Sequence, residues 1–284
     1  MKNRKAKLIL EDGSVFEGVS FGFSKSVNGE VVFNTGMVGY PETMTDPSYN
    51  GQILVLTYPL IGNYGVPNDE LENQLKINFE SDKIQVRALI VSDYTKDYSH
   101  WSAVKSLGEW LIEEKIPALY GIDTRMLTRK LRENGTMLGK IIFDKDKIEF
   151  EDPNLTDNVR NVTVKSPIEY LKGEKKIFLV DCGAKNNILQ AFLRRGISVI
   201  RVPYDYDFVS DSVSGIVISN GPGDPKMCKK TIATTKKAIA KQIPILGICL
   251  GCQILALASG ADTYKLKYGH RSHNQPVNES GTKR

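Results

Sequence analysis

Cysteine is scarce in this chain of 284 residues: Cys182, Cys228, Cys249 and Cys252 are its only four. That is too few for a disulfide-built scaffold and fits a reducing, cytoplasmic setting. Histidine is scarcer still, with His100, His270 and His273 alone. An excess of one charge is also missing. The 38 Lys and Arg nearly balance the 33 Asp and Glu, for a net +5, so charge does not argue for a nucleic-acid partner. No export signal opens the chain, because Met1-Lys2-Asn3-Arg4-Lys5 runs straight into a short alternating stretch. The stretch Ile243 to Ala261 carries no charge and is nearly long enough to span a bilayer. Pro244, Gly247, Gly251, Gln253 and Gly260 interrupt it, however, and it divides into a buried strand and a helix, so no membrane is expected.

What is present is an ordinary globular composition, long enough for two domains at roughly 100–200 residues each. The first part reads as strand-rich. Lys7-Leu8-Ile9-Leu10 meets Ser14-Val15-Phe16 across Glu11-Asp12-Gly13, a hairpin signal built on Asp-Gly. Further β runs follow at Glu30 to Phe33, Gln52 to Thr57 and Arg87 to Val91, separated by long loops rich in Gly, Pro, Asn and Tyr. Ser102 is positioned to cap a helix with Val104, Leu107, Trp110 and Leu111 on one face. Asp123 caps a second helix with Met126, Leu127 and Leu131, stopped by Gly135. The pattern predicts an N-terminal domain over 1–150 and a linker over 151–175. From 176 to 284, short apolar strands alternate with helices, which predicts a parallel sheet with helices on both faces. Ligands of such sheets sit at the carboxyl ends of the strands.

Two of those ends carry distinctive residues. Gly247-Ile248-Cys249-Leu250-Gly251 lies between a buried strand and a helix, the nucleophile-elbow pattern with Cys in place of Ser. Its glycines permit a sharp turn, and a thiol at a helix N-terminus is favoured as thiolate. Ser219-Asn220-Gly221-Pro222-Gly223-Asp224-Pro225 follows another buried strand and exposes backbone N–H groups. Two such loops in one sheet, one with a nucleophile, point to acyl transfer. Taken alone, the first loop is also compatible with a buried structural Cys, or with Cys249 and Cys252 as a C-x-x-C redox or metal pair.

Both loops together resemble a class I glutamine amidotransferase. Asp181-Cys182-Gly183-Ala184-Lys185-Asn186-Asn187, Asn34-Thr35-Gly36-Met37-Val38-Gly39-Tyr40, Thr45-Asp46-Pro47-Ser48-Tyr49, Tyr58-Pro59-Leu60-Ile61-Gly62-Asn63-Tyr64 and Ile122-Asp123-Thr124-Arg125 narrow it further. With these, the chain is similar to the small, glutamine-hydrolysing subunit of carbamoyl-phosphate synthase. The resemblance implies an α/β fold in which a strand-rich N-terminal domain precedes an amidotransferase-type parallel sheet. It implies that Cys249 attacks the side-chain amide of L-glutamine to give a thioester. By position, Gly221 and Leu250 would supply oxyanion N–H groups, while Ser48, Gly223 and Gln253 would hold the glutamine. No cofactor is implied in this chain. ATP and Mg belong to a large partner subunit that receives the ammonia for carbamoyl phosphate, toward arginine or pyrimidines.

The sequence departs from that family in three respects, two of them an absent Asn-x-Gly-Phe/Tyr stretch and Cys252 where relatives commonly carry His. The family's general base and its carboxylate lie in a His-x-Glu, and none of His100, His270 and His273 begins one. The chain therefore reads as truncated at its C-terminus, with an incomplete sheet and impaired hydrolysis as expectations. Two alternatives stay open: a non-catalytic scaffold for the large subunit, and a C-x-x-C oxidoreductase.

Overall fold

The computed structural model describes residues 4–210, 212–269 and 278–282; His270 and His273 lie outside them. The hairpin expected near the start is there. Lys5–Leu10 pairs antiparallel with Val15–Ser20, Leu8 opposite Phe16, and Gly13 takes a φ of 84° in the turn. It does not stay an open sheet. The strands close into a barrel in the order Lys5–Leu10, Met137–Phe143, Val27–Asn34, Gln52–Leu56, Ala88–Ile90, Ala118–Tyr120, Val15–Ser20. Met137–Phe143 is the closing piece, antiparallel to both Lys5–Leu10 and Val27–Asn34. Closure leaves the barrel sheet itself without an edge.

The pairings from Val27–Asn34 through Gln52–Leu56 and Ala88–Ile90 to Ala118–Tyr120 are parallel. Gln52–Leu56 and Ala88–Ile90 are buried along their whole length, as parallel strands covered on both faces must be. Ile53, Val55, Ala88 and Ile90 join Leu8, Leu10 and Val31 in one core, which also takes Leu127 and Leu131 of the helix Thr124–Asn134. Leu54, Leu56 and Leu89 join a second core with Tyr40, Met44, Trp110 and Leu111. Alternate residues of one strand thus serve two cores.

Two local expectations shift. The helix expected from Ser102 starts later, at Leu107–Glu113, capped by Ser106. Ser106 has Glu109 three residues on, and the two bond reciprocally, Ser106 N to Glu109 Oε2 at 2.9 Å and Glu109 N to Ser106 Oγ at 3.2 Å. Val104 instead lies in the short strand Ala103–Lys105. Met126, expected on a buried face, is 54% exposed.

The second half is a sheet in the order Ile168–Tyr170, Ser198–Pro203, Lys176–Asp181, Gly215–Ile218, Ile245–Gly247. Four strands are parallel. The fifth, Ile168–Tyr170, pairs antiparallel and arises within 151–175, the stretch read as a linker. The parallel sheet expected over 176–284 is there, with an antiparallel edge strand added from the stretch before it. Phe178, Val180, Ile216 and Ile218 pack with Leu250 and Ile254 on one face. Ile177, Leu179 and Val217 pack with Leu189 and Leu193 on the other. At the far edge Leu246 is 53% exposed.

The halves meet through the helix Asn186–Leu193. Asn186 N donates to Glu80 O at 2.9 Å, Asn187 N to Glu80 Oε2 at 3.1 Å, and Gln190 Nε2 to Glu72 O at 2.7 Å. Leu75 packs in the same cluster as Leu189. Burial pushes the Glu80 carboxyl up, against the lowering effect of the Asn187 N–H.

Two outcomes follow from these packings. Gly139 faces the barrel core, and a Cβ there would lie 2.3 Å from Val31 Cγ2. Gly139→Ala is expected to cost about 1–3 kcal/mol in urea unfolding, with partial recovery when combined with Val31→Ala. Glu80 stabilises the fold when protonated, below its ordinary value of 4.5, and that contribution is lost as pH rises through its higher folded value. Glu80→Gln keeps an acceptor for Asn187 and carries no charge. Its stability relative to the parent should therefore rise between pH 4 and pH 7, as read by denaturant midpoints at the two pH values.

Candidate active site

Three adjacent parallel strands, Lys176–Asp181, Gly215–Ile218 and Ile245–Gly247, end side by side, with Val180 opposite Ile218 and Ile218 opposite Gly247. Their following loops form the site. After Ile245–Gly247, Ile248 N donates to Ile218 O at 2.9 Å, extending the pairing by one residue before the chain turns. The helix Leu250–Ala258 then begins at once. A Cβ on Gly251 would stand 2.0 Å from Ile218 O, and one on Gly247 would stand 2.6 Å from Cys252 N and from Gly251 C and O. Only glycine fits at either place.

Between them Cys249 is held at φ 52° and ψ −110°. An L-residue with a side chain rarely adopts this conformation, at a typical cost of about 1–3 kcal/mol. Cys249 is exposed at the helix N-cap, and its carbonyl accepts from Cys252 N at 2.9 Å and Gln253 N at 3.2 Å. Leu250 is buried beneath it, while Cys252 and Gln253 are exposed. The chain's other two thiols differ. Cys182 and Cys228 are buried, and burial raises both, Cys228 to about 12, which keeps them unreactive at neutral pH. All four cysteines are thiols, and among the described residues no group of three or more His, Cys, Asp or Glu could hold a metal ion.

The middle loop lies flat against its neighbours. Ser219 Oγ accepts from Cys182 N at 2.9 Å and donates to Asn220 O at 2.8 Å. A Cβ on Gly221 would meet Cys182 O at 2.0 Å and Leu250 Cδ2 at 2.8 Å, so Gly221 and Leu250 are neighbours. Gly223 takes a φ of 80° beside Asn158. In the first loop Asp181, wholly buried, uses Oδ1 for Gly183 N at 3.0 Å and Ala184 N at 2.7 Å. Its Oδ2 takes Val164 N at 2.8 Å and Arg201 Nε at 2.9 Å.

The barrel half contributes the turn Pro47–Tyr49. A Cβ on Gly183 would lie 3.1 Å from Pro47 Cβ and 3.2 Å from Gly221 Cα, which puts this turn against the first two loops. Asp46 Oδ1 accepts Ser48 N at 2.9 Å, and Asp46 Oδ2 lies 3.0 Å from Lys185 Nζ. Burial pulls the Lys185 ammonium down, but Asp46, with Glu80 and Tyr49, outweighs it, so its pKa is raised overall. Ser48 Oγ accepts from Asn220 Nδ2 at 2.9 Å.

Of the residues singled out in the sequence, Ser48, Gly221, Leu250 and Cys249 are thus linked by successive contacts. Gly223 stands two residues further along its loop, and Gln253 is exposed one helical turn after Cys249. Sequence reasoning assigned no role to Asp46, Lys185, Asn220 or Asp181. For Asp46 the local signal was Asp-Pro-Ser, the pattern of an aspartate bonding the N–H two residues on. His100, bonded to Ser102 Oγ at 2.8 Å, lies among Tyr64 and Trp101 in the barrel half. A cavity of about 230 Å³ lined by Glu42, Lys76, Glu80, Asn187 and Arg194 does not include the elbow.

The chain is also similar to known proteins over both halves. Residues 8–141 match the family described as carbamoyl-phosphate synthase small chain, CPSase domain, and residues 178–284 match glutamine amidotransferase class-I. The "Multifunctional protein CAD" of Squalus acanthias is 54% identical over 286 residues, covering 98% of this chain and 13% of that protein. The "Carbamoyl phosphate synthase arginine-specific small chain" of Saccharomyces cerevisiae is 48% identical, covering 96% of this chain and 70% of that one. The human "Carbamoyl-phosphate synthase [ammonia], mitochondrial" is 46% identical, covering 98% and 19%. The chain thus spans a small part of the multifunctional relatives and about two thirds of the yeast small chain.

The strain at the elbow is measurable. Cys249→Gly, which tolerates φ 52°, is expected to raise stability by about 1–2 kcal/mol in denaturant unfolding. Cys252→Gly, in the first turn of a helix, should lower it by up to about 1 kcal/mol. Equal effects at both positions would mean that no strain is stored at Cys249.

Proposed function

The chain belongs to the carbamoyl-phosphate synthase small-chain family, and from that membership we propose that it is the glutamine-hydrolysing part of a carbamoyl-phosphate synthase. The observation that carries this reading is Cys249, an exposed thiol on a glycine-enforced turn at a helix N-terminus, next to the Gly221 loop. Cys249 Sγ attacks the amide carbon of L-glutamine. The C–N bond breaks, nitrogen leaves as ammonia with a proton, and a glutamyl thioester remains. Water cleaves the thioester to glutamate and returns the thiol. The backbone N–H groups of Gly221 and Leu250 serve the oxyanion, one such donor being typically worth about 3–4 kcal/mol of barrier. Ser48, Gly223 and Gln253 hold the substrate, with Ser48 supplied from the other half, and ligand sites favour such junctions.

In this reading the ammonia passes to a large ATP-using and Mg-using partner that forms carbamoyl phosphate, in a cytoplasmic heterodimer. Support comes from the yeast relative's description as a small chain and from the much longer multifunctional relatives. The scaffold reading, without turnover, draws on the human relative, which is named for ammonia.

A chloromethyl ketone analogue of L-glutamine separates the two. Labelling is expected at Cys249, mapped by mass spectrometry, with protection by L-glutamine and not by D-glutamine, and with none at that position in Cys249→Ser. Labelling spread evenly over Cys249 and Cys252, indifferent to L-glutamine, would leave the scaffold reading in place.

A further inference from the structure

Asn220 is 3% exposed, precedes Gly221 in the chain, and touches the other half at Ser48. Its Nδ2 lies 2.9 Å from Ser48 Oγ and 3.5 Å from Asp46 Oδ1, while its Oδ1 accepts from Lys185 N at 3.3 Å. The amide has only one tenable orientation. Turned over, it would set its NH2 against the Lys185 N–H and its oxygen against the Asp46 carboxylate, donor to donor and acceptor to acceptor. Asp46 is itself held by Lys185 Nζ at 3.0 Å and by Ser48 N at 2.9 Å.

A chemical consequence follows for Ser48. An amide NH2 can only donate, so Ser48 Oγ must accept, and the hydroxyl proton points away from Asn220. Ser48 therefore has its O–H directed to an acceptor other than Asn220. We propose that Asn220 is a positioning residue that sets the hydrogen-bond polarity of Ser48, so that Ser48 recognises an acceptor oxygen of the bound amino-acid amide. The assignment rests on the amidotransferase reading and deepens it. It also ties recognition to the docking of the two halves, because Ser48 and Asn220 come from opposite sides of that junction.

Asn220→Asp is the discriminating variant. It has nearly the same shape, yet its carboxylate would accept the Ser48 proton and would stand against Asp46, reversing the polarity. The probe is the chloromethyl ketone analogue of L-glutamine on the full chain. Its reaction forms an Sγ–C bond as C–Cl breaks and chloride leaves. The readouts are the half-saturating concentration and the limiting rate of modification at Cys249, by peptide mapping. Asn220→Ala and Ser48→Ala should each raise the half-saturating concentration about tenfold while the limiting rate changes less than about threefold. The double variant should be no worse than Ser48→Ala, because one interaction is removed twice. Asn220→Asp should be worse than Asn220→Ala.

Iodoacetamide, which needs no pocket, should modify Cys249 equally in all of them, and thermal melts establish that each is folded. If Asn220→Ala does not fold, the near-isosteric Asp variant carries the comparison. Half-saturation unchanged in both Asn220 variants, additive penalties in the double variant, or an Asp variant milder than Ala each overturn the proposal. A parent protein that iodoacetamide modifies at Cys249, but that the analogue labels without saturation, overturns the amidotransferase reading and the Asn220 assignment with it.

Discussion

The site depends on how closely one helix can start behind one strand. Gly251 lies so near the Ile218 carbonyl, and Gly247 so near the first helical turn, that no side chain fits at either position. The chain reverses within Ile248 and Cys249, and Cys249 is left in a conformation that glycine would adopt more readily. The packing of Leu250 and Ile254 against Ile216 and Ile218 holds the helix in place and sustains that strain. A thiol is thereby lifted out of the core to the helix N-terminus. The buried thiols of Cys182 and Cys228 show what the same group becomes without such a turn.

The loops around it need a different kind of support. Buried backbone N–H groups must find acceptors, and strand-end loops have no ladder to supply them. Two carboxylates fill that need. Asp181 gathers the N–H groups of Gly183, Ala184 and Val164 and is balanced by Arg201. Asp46 gathers that of Ser48 and is balanced by Lys185. Breaking either pair would strand a buried charge, which is far costlier than never having made it. Asn220 stands between these two systems, and through it the geometry of one half reaches the other.

The barrel acts as a platform. Its parallel strands are buried on both faces, and closure removes the edges that could slip or pair elsewhere. From this base residues 40–49 reach the amidotransferase-type half, anchored by Tyr40, Met44 and Tyr49 in the core. A serine on such a turn is placed by the barrel's packing as firmly as one within the sheet itself.

Features whose cause lies within a few residues were legible beforehand: the Asp-Gly hairpin, the βα rhythm after residue 176, the elbow of Gly247 to Gly251, and the cap of Asp123. Each is a local contest between backbone and side chain, and the residues that decide it are adjacent in the chain. Even there a near neighbour can win, as Ser106 did over Ser102 through its bond with Glu109. The chain order alone did not carry the closure of the barrel, the antiparallel edge strand Ile168–Tyr170, or the meeting of Ser48, Asp46, Lys185 and Asn220. These depend on which distant strands pair and in what register, with Met137–Phe143 needing partners more than a hundred residues away. Local chemistry chose the exposed cysteine and its turn. Only long-range packing could choose what stands opposite it, because a hydrogen bond 2.9 Å long between residues 48 and 220 exists only once both halves have folded and docked.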